Sequence, residues 1–508
     1  MAGRRDRQQD LRPRRIIRDT VAVTRGGDGM AAIILIPAVA CWAVLAWGSA
    51  RKALLYVYLP VLLLLPQYYV FRLPHLPPLS SADAAVLPLG IALAFIGMRR
   101  WRMAWMDLWV LLFAVCAGLS EALSTELANG DWIRLFSPEF ALSKRISTNL
   151  SMGGLVVANG VLTIVLPYVM GKLLIEQEDG DRNLIRRKLV AVMSALLGVV
   201  AVFSVYDFVT GKSAWQMLAS HLGLSPFEYW PTQMRLGFGR IEGPYGHAIL
   251  AGMIFLMGLI YCLWLLSADR SWGARRLVSG LPITVRVLIL TAIVAGLLMT
   301  QSRGPMLGVG LALVFAFLTR FLPVSKAVAV FLCFIAVFIA IAFYFANRYT
   351  EKSIREATTE EQRNAIYRRQ LLTNYEPLVM QHKAFGWGIT TLPAVGGQTS
   401  IDNQFLMLAV TEGFVGLGVF LAIAVGSAVK LLRMISQPIQ QQDRMLAFAH
   451  LAFLIGLMTT LTTVYMGEQV VMMFFLFVGW VQAMSPVLAV AQAANPPARQ
   501  LGFRRVLV

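Results

Sequence analysis

Charge is scarce in this sequence. Only 14% of its 508 residues are Asp, Glu, Lys or Arg, against about 25% in an ordinary soluble protein. Acid is scarcest: 27 Asp and Glu face 45 Lys and Arg, for a formal net charge of +18. Cysteine and histidine are few as well. Cys41, Cys116, Cys262 and Cys333 all fall in apolar runs, so they read as small core residues and exclude a disulfide or thiolate metal framework. The five histidines are scattered, with no His-x-His or paired-carboxylate spacing, so no metal and no cofactor is expected. There is no Walker loop and no Gly-x-Ser-x-Gly elbow. Basic stretches come without interleaved stacking aromatics, which argues against nucleic acid. No short apolar core with a small-residue cleavage site follows the N-terminus, so a cleavable signal peptide is not expected.

What the chain has is apolar length: 57% of it is hydrophobic, in continuous runs of about 18 residues or more. Such runs cross bilayers as helices, whereas a barrel would alternate. The expected fold is all-α, a polytopic inner-membrane bundle of about twelve transmembrane helices, with a large outer-face loop containing short helices. Thirteen candidate runs fall near 30–48, 53–71, 82–98, 107–123, 152–171, 189–209, 244–266, 287–302, 304–320, 327–346, 403–429, 445–466 and 469–490.

Basic clusters set the count. Arg99, Arg100 and Arg102; Lys172 with Arg182, Arg186, Arg187 and Lys188; Arg270, Arg275 and Arg276; Arg320 with Lys326; and Lys430, Arg433 and Arg444 all fall on the cytoplasmic side if the twelve runs from 53 onward span. The run 30–48, which contains Pro37, is then re-entrant or interfacial. Residues 1–29, with eight arginines, read as a disordered basic cytoplasmic tail, and 491–508 as a second cytoplasmic tail. The region 30–346 holds transmembrane helices with outer loops 124–151 and 210–243. Residues 347–401 form a large periplasmic loop, and 402–490 hold the last transmembrane helices. A loop as long as 347–401 predicts a lid or binding element.

The candidate chemistry clusters at these outer loops. Asp402-Asn403 opens an apolar run, and an acid where a wet loop enters a membrane helix is a functional candidate; aspartate also caps helices. Ala409, Gly413 and Gly416 recur at helical spacing, which predicts close approach of another helix. Arg303 sits in the tight turn Thr300-Gln301-Ser302-Arg303-Gly304-Pro305, and its planar fork suits phosphate; a snorkelling interfacial arginine is the plainer reading. The segment from Arg235 to His247 holds Arg240, Glu242 and His247 among glycines and aromatics, a pattern for a pocket rim or for a loop with surface charges. Thr358 to Glu361 resembles a capping box opening a helix, on which Arg363 and Tyr367 share a face with Arg368 and Arg369 alongside. Residue types alone favour a solvated face there. His382 opens a Gly-rich segment through Gly388, read mainly as loop-shaping.

Together these residues resemble the O-antigen ligase and Wzy-type polymerase superfamily of bacterial envelope glycosyltransferases. Asp402-Asn403, nine residues, then Gly413 to Gly416 resemble the ligase pattern, with Asp where ligases carry His. Ser302-Arg303-Gly304 looks like the family's Ser-Arg-Gly turn, and Arg240 with Gly243 like its arginine-to-glycine motif. Arg363 with Tyr367 is similar to its loop arginine and following Trp, and His382 to Gly388 to its His-Pro-Leu-x-Gly-x-Gly segment. Tyr367 replaces the Trp, and Lys383-Ala384 the Pro-Leu.

The resemblance implies a metal-independent transferase joining undecaprenyl-diphosphate-linked oligosaccharides on the periplasmic side of the inner membrane, with inversion. Asp402 would be the catalytic base. Arg303, Arg363 and Arg240 would bind the diphosphate, and Asn403, Glu242, His247, Tyr367 and His382 would contact substrate. The Asp402 change leans toward a polysaccharide polymerase over an O-antigen or glycan ligase. A transporter or flippase of lipid-linked sugars is the alternative from another class; it predicts charges at mid-depth rather than at one face. Expected partners are the lipid-linked saccharide, the bilayer, and a chain-length regulator or export machinery.

Overall fold

The computed structural model describes residues 32–485 except 72–75, 98–100, 125–145, 177–181, 223–232, 236, 278–282, 351–355, 357–358, 391, 394, 396–397 and 399. The two expected tails and most of loop 124–151 lie outside the described residues. The chain is all-α and polytopic. Sixteen helices follow in order: α1 Ile36–Trp47; α2, from Ala50–Ala53 through a π-turn at Leu54–Tyr58 to Leu59–Leu64; α3 Ser81–Gly97; α4 Trp105–Leu123; α5, from Ile146–Gly160 through a π-turn at Val161–Val165 to Leu166–Leu174; α6 Arg182–Thr210; α7 Ala214–His221; and α8 Ala248–Ala268. Then come α9 Val285–Met299, α10 Arg303–Phe321, α11 Val324–Tyr349, α12 Glu360–Gln381, α13 Gln404–Thr411, α14 Gly413–Ser436, α15 Gln441–Leu461 and α16 Glu468–Ala483. Two small antiparallel pairs, β1 Val70–Phe71 with β2 Leu79–Ser80 and β3 Met234–Arg235 with β4 Phe238–Gly239, tie down loops.

Eight described helices are long and apolar enough to cross a membrane, and four shorter apolar ones join them: Ala32–Trp47, Ser81–Phe95, Val285–Met299 and Glu468–Ala483. The run expected over 53–71 stops as a helix at Leu64, just before Pro66, because a residue preceding proline is pushed out of the helical region. The run expected over 403–429 is two helices. α13 stops at Thr411, and Gly413 takes φ +67° before α14 continues.

Helix α8 is the centre of the bundle, buried over 72% of its apolar window, whereas the corresponding window of α11 is 11% buried and presents Leu332, Val337 and Ile341 outward. Cys333 is exposed on α11, so the core reading holds for Cys41, Cys116 and Cys262 but not for Cys333: a lipid-facing helix side takes small apolar residues as readily as a core does. Close helix contacts run through glycine. A Cβ on Gly171 of α5 would meet the Leu476 carbonyl of α16 at 2.1 Å, and one on Gly308 of α10 the Gly456 carbonyl of α15 at 2.7 Å, the small-residue packing that lets helices associate without a hydrophobic drive.

The two ends of the bundle differ in chemistry. At one end Arg186 bridges Glu176 and Asp443 at 2.5 Å each, and Lys172 holds Asp107 at 2.7 Å. These ends of α4, α5, α6 and α15 are the ones the basic clusters place together. At the other end, α12 packs on α13 through a small core of its own, with Leu371, Tyr375, Val379, Trp387 and Val410. The long loop is thus a folded cap over the bundle.

Candidate functional site

The turn between α9 and α10 is three residues long, and Gln301 in it has φ +49°. Left-handed backbone at a non-glycine residue costs about 1–2 kcal/mol and persists where surroundings enforce it. Arg240 does the enforcing. Its Nε donates to the Thr300 carbonyl at 3.1 Å, Nη2 to Ser302 Oγ at 2.9 Å, and Nη1 to Gln233 Oε1. Arg235 Nη1 donates to the Gln301 carbonyl at 2.7 Å. Arg303, next in the chain, starts α10 and stays exposed. Arg240 is buried. Burial, reinforced by the Arg235 charge, lowers its pKa to about 10, against an opposing pull from Glu242.

Asp402 does not cap the helix it precedes. Asn403 does: its Oδ1 accepts from the Phe405 and Leu406 amides at 2.9 and 3.1 Å. Gln404 then locks the helix start to the α15–α16 connection, accepting from the Met466 amide at 2.6 Å. Asp402 keeps a carboxylate that accepts from Ser400 Oγ at 2.6 Å. Tyr367 on α12 fixes Ser400 in turn, its hydroxyl donating to the Ser400 carbonyl at 2.8 Å. Asn403 and Tyr367 are therefore positioning groups for Asp402.

Arg368 on α12 feels the charge of this acid. Arg368 is exposed. Desolvation lowers its guanidinium pKa; the Asp402 charge raises it, and Arg235 and Arg303 lower it further. These four groups share one electrostatic neighbourhood. His247 belongs to it too. Its Nδ1 accepts from the Ile249 amide at 3.2 Å as the cap of α8, which leaves the proton of the neutral ring on Nε2. Burial, then the Arg240 charge, push its pKa down to about 4, while Asp402 opposes. Glu242 lies buried behind, raised to about 8 first by burial and then by Asp207; its Oε2 has no hydrogen-bond partner among the described residues. His247 also lines a cavity of about 390 Å³ with Tyr68, Asn159, Thr163, Tyr465 and Glu468.

Residues 287–421 match the O-antigen ligase family model. That match supports the O-antigen ligase and Wzy-type superfamily, on a chain whose described residues include eight helices long and apolar enough to cross a membrane. No curated protein sequence matches it. The matched segment contains Arg303, Arg363, Tyr367, Arg368, His382, Asp402 and Asn403. Arg235, Arg240, Glu242 and His247 reach the same space from outside it.

The remaining expected site residues lie apart. Arg363 is exposed one turn before Tyr367, with no side-chain partner among the described residues. His382 ends α12 and packs edge-on against Trp387 at 4.1 Å. The following segment zips onto the α13–α14 break: the Phe414 and Val415 amides donate to the Lys383 and Ala384 carbonyls, and the Trp387 and Gly388 amides to those of Val410 and Thr411. The small residue Gly413 accordingly meets loop backbone, with its Cβ position 2.3 Å from the Ala384 oxygen, and not the second helix that the spacing suggested. Arg368 and Arg235 are the functional candidates that sequence reasoning left among solvated charges.

Proposed function

We propose that this chain is a polysaccharide polymerase of the bacterial inner membrane. In this reading it transfers a saccharide from undecaprenyl diphosphate to a hydroxyl of a second lipid-linked repeat, on the periplasmic side. The acceptor oxygen bonds to the anomeric carbon and the bond from that carbon to the diphosphate oxygen breaks. Asp402 takes the hydroxyl proton, and the lipid diphosphate departs with the electron pair. Negative charge grows on the leaving group, and fixed guanidiniums aimed at it stabilise that growth without reorganising. Arg303, Arg368 and Arg235 supply them. Arg240 has two donor positions engaged on the Thr300–Ser302 turn and a third on Gln233, so its role is to aim Arg303 rather than to grip phosphate. A carboxylate is a weak base, so Asp402 acts late and mainly orients the hydroxyl.

The observation that carries this reading is an aspartate relieved of capping, held through Ser400 and Tyr367, in the electrostatic neighbourhood of Arg368, Arg235 and Arg303. Purified protein given undecaprenyl-diphosphate-linked repeats tests it. Asp402→Asn should cut polymer formation by about 10²-fold or more, with membrane insertion intact, and Arg368→Ala should fall by a similar factor. Wild-type yield from Asp402→Asn would remove the base assignment. The family match supports the ligase reading equally. It predicts transfer to a finished glycan acceptor and no extension of lipid-linked repeats.

A further inference from the structure

Far from the site, α8 and α9 are joined by a hairpin that is built to carry positive charge. Between residues 269 and 286 lie Arg270, Arg275, Arg276 and Arg286 against one acid, Asp269. Asp269 is occupied, its Oδ1 accepting from the Ser271 amide and hydroxyl at 2.9 and 2.6 Å and from the Trp272 amide at 3.2 Å. Backbone bonds order the hairpin, with the Val285 amide on the Arg275 carbonyl and the Arg286 amide on the Gly273 carbonyl, both at 3.1 Å. None of the four arginines forms an ion pair among the described residues.

Two of them border an open cavity of about 470 Å³, whose walls are Arg270, Arg286, Leu266, Val287 and Leu290. Arg286 Nη1 donates to the Arg270 carbonyl at 2.9 Å, which fixes one guanidinium and leaves most of its donors available. The cavity is therefore split: guanidiniums at the loop end, and aliphatic side chains from the last turns of α8 and the first of α9 below them. That amphipathic order matches one ligand class, a phosphodiester headgroup with an acyl chain hanging from it.

We propose that this cavity is a binding site for an anionic phospholipid. Its phosphate is held by Arg270 and Arg286, and its first acyl segment lies on Leu266, Val287 and Leu290. A pair of arginines that merely snorkel would show no demand for the acyl chain, and a generic anion site none for the lipid.

Native mass spectrometry of the full chain in neutral detergent, with phosphatidylglycerol, phosphatidylcholine of the same chains, and inorganic phosphate as probes, decides it. The wild type should retain phosphatidylglycerol about tenfold over phosphatidylcholine. Arg270→Gln with Arg286→Gln should abolish that excess, and Arg320→Gln with Arg433→Gln, at other basic helix ends, should keep it. Val287 is half-exposed, so Val287→Trp should fold, fill the floor and cut phosphatidylglycerol retention with both arginines in place. Equal retention of the two lipids overturns the proposal. So does an undiminished excess in Arg270→Gln/Arg286→Gln or in Val287→Trp, or displacement of the lipid by equimolar inorganic phosphate.

Discussion

His247 and Glu242 are neighbours in the chain, yet burial drives their titrations in opposite directions. His247 is held down to about 4 from an ordinary 6.5, so between these values the unfolded chain binds the proton and the folded chain does not. Its contribution to stability is present above pH 6.5 and is lost as pH falls toward 4, by up to about 3 kcal/mol. Glu242 is held up to about 8 from 4.5, so the folded chain keeps its proton longer and stability falls as pH rises from 4.5 to 8. His247→Asn preserves a capping side chain and should flatten the acid limb of thermal stability. Glu242→Gln should flatten the alkaline limb. Unfolding midpoints from pH 4 to 8 measure both, and an unchanged acid limb in His247→Asn would show that another group titrates there.

The same scale shows what was legible in the sequence. Arg303 and Asp402 stand out because a charge beside a long apolar run is costly to place and has few bland explanations. Arg368 does not stand out. It lies on a helix dense in charge, where an arginine near Asp402 and one facing only bulk water have the same local sequence. Asp and Asn both cap helices, so Asp402-Asn403 alone leaves open which one is spent on the cap; the fold spends Asn403.

Among the elements, the break between α13 and α14 holds the cap to the bundle. Gly413 permits it, by a left-handed φ and by room for the Ala384 carbonyl. Gly418 lies five residues on in the same helix with open space at its Cβ position. Gly413→Ala should lower stability by about 1–2 kcal/mol from backbone strain alone, and more from the clash. Gly418→Ala should be neutral or stabilising by up to about 1 kcal/mol. Unfolding midpoints of the pair, with limited proteolysis of the 383–388 segment, check this. Hydropathy could not reveal the break, because an apolar run reads the same whether or not a glycine turns left-handed within it. Hydropathy did mark the apolar runs, and their boundaries moved where proline or an arginine-pinned turn intervened.

For the whole molecule, the two ends separate stability from chemistry. The Arg186 network with Glu176 and Asp443 is buried, and Trp480 Nε1 adds a 2.7 Å bond to Glu176. Arg186→Ala strands two buried carboxylates and should cost about 3–5 kcal/mol, read as a lower unfolding midpoint in detergent. Below that midpoint the site end keeps its geometry, so transfer per folded molecule should match the wild type. A proportionate loss of turnover in fully folded Arg186→Ala would show that the ends are coupled.

The brevity of α9 has a further effect. Its fifteen residues rise about 22 Å, where a full crossing takes about 30 Å. Where α9 crosses the bilayer, local thinning at the Gln301–Arg303 corner would make up the shortfall of several ångströms. On the proposed reading, a diphosphate tethered to a long isoprenoid then slides to Arg303 along that depressed leaflet surface, with its tail still dissolved in lipid. Thicker membranes would level that dimple and lift the substrate away from the arginine.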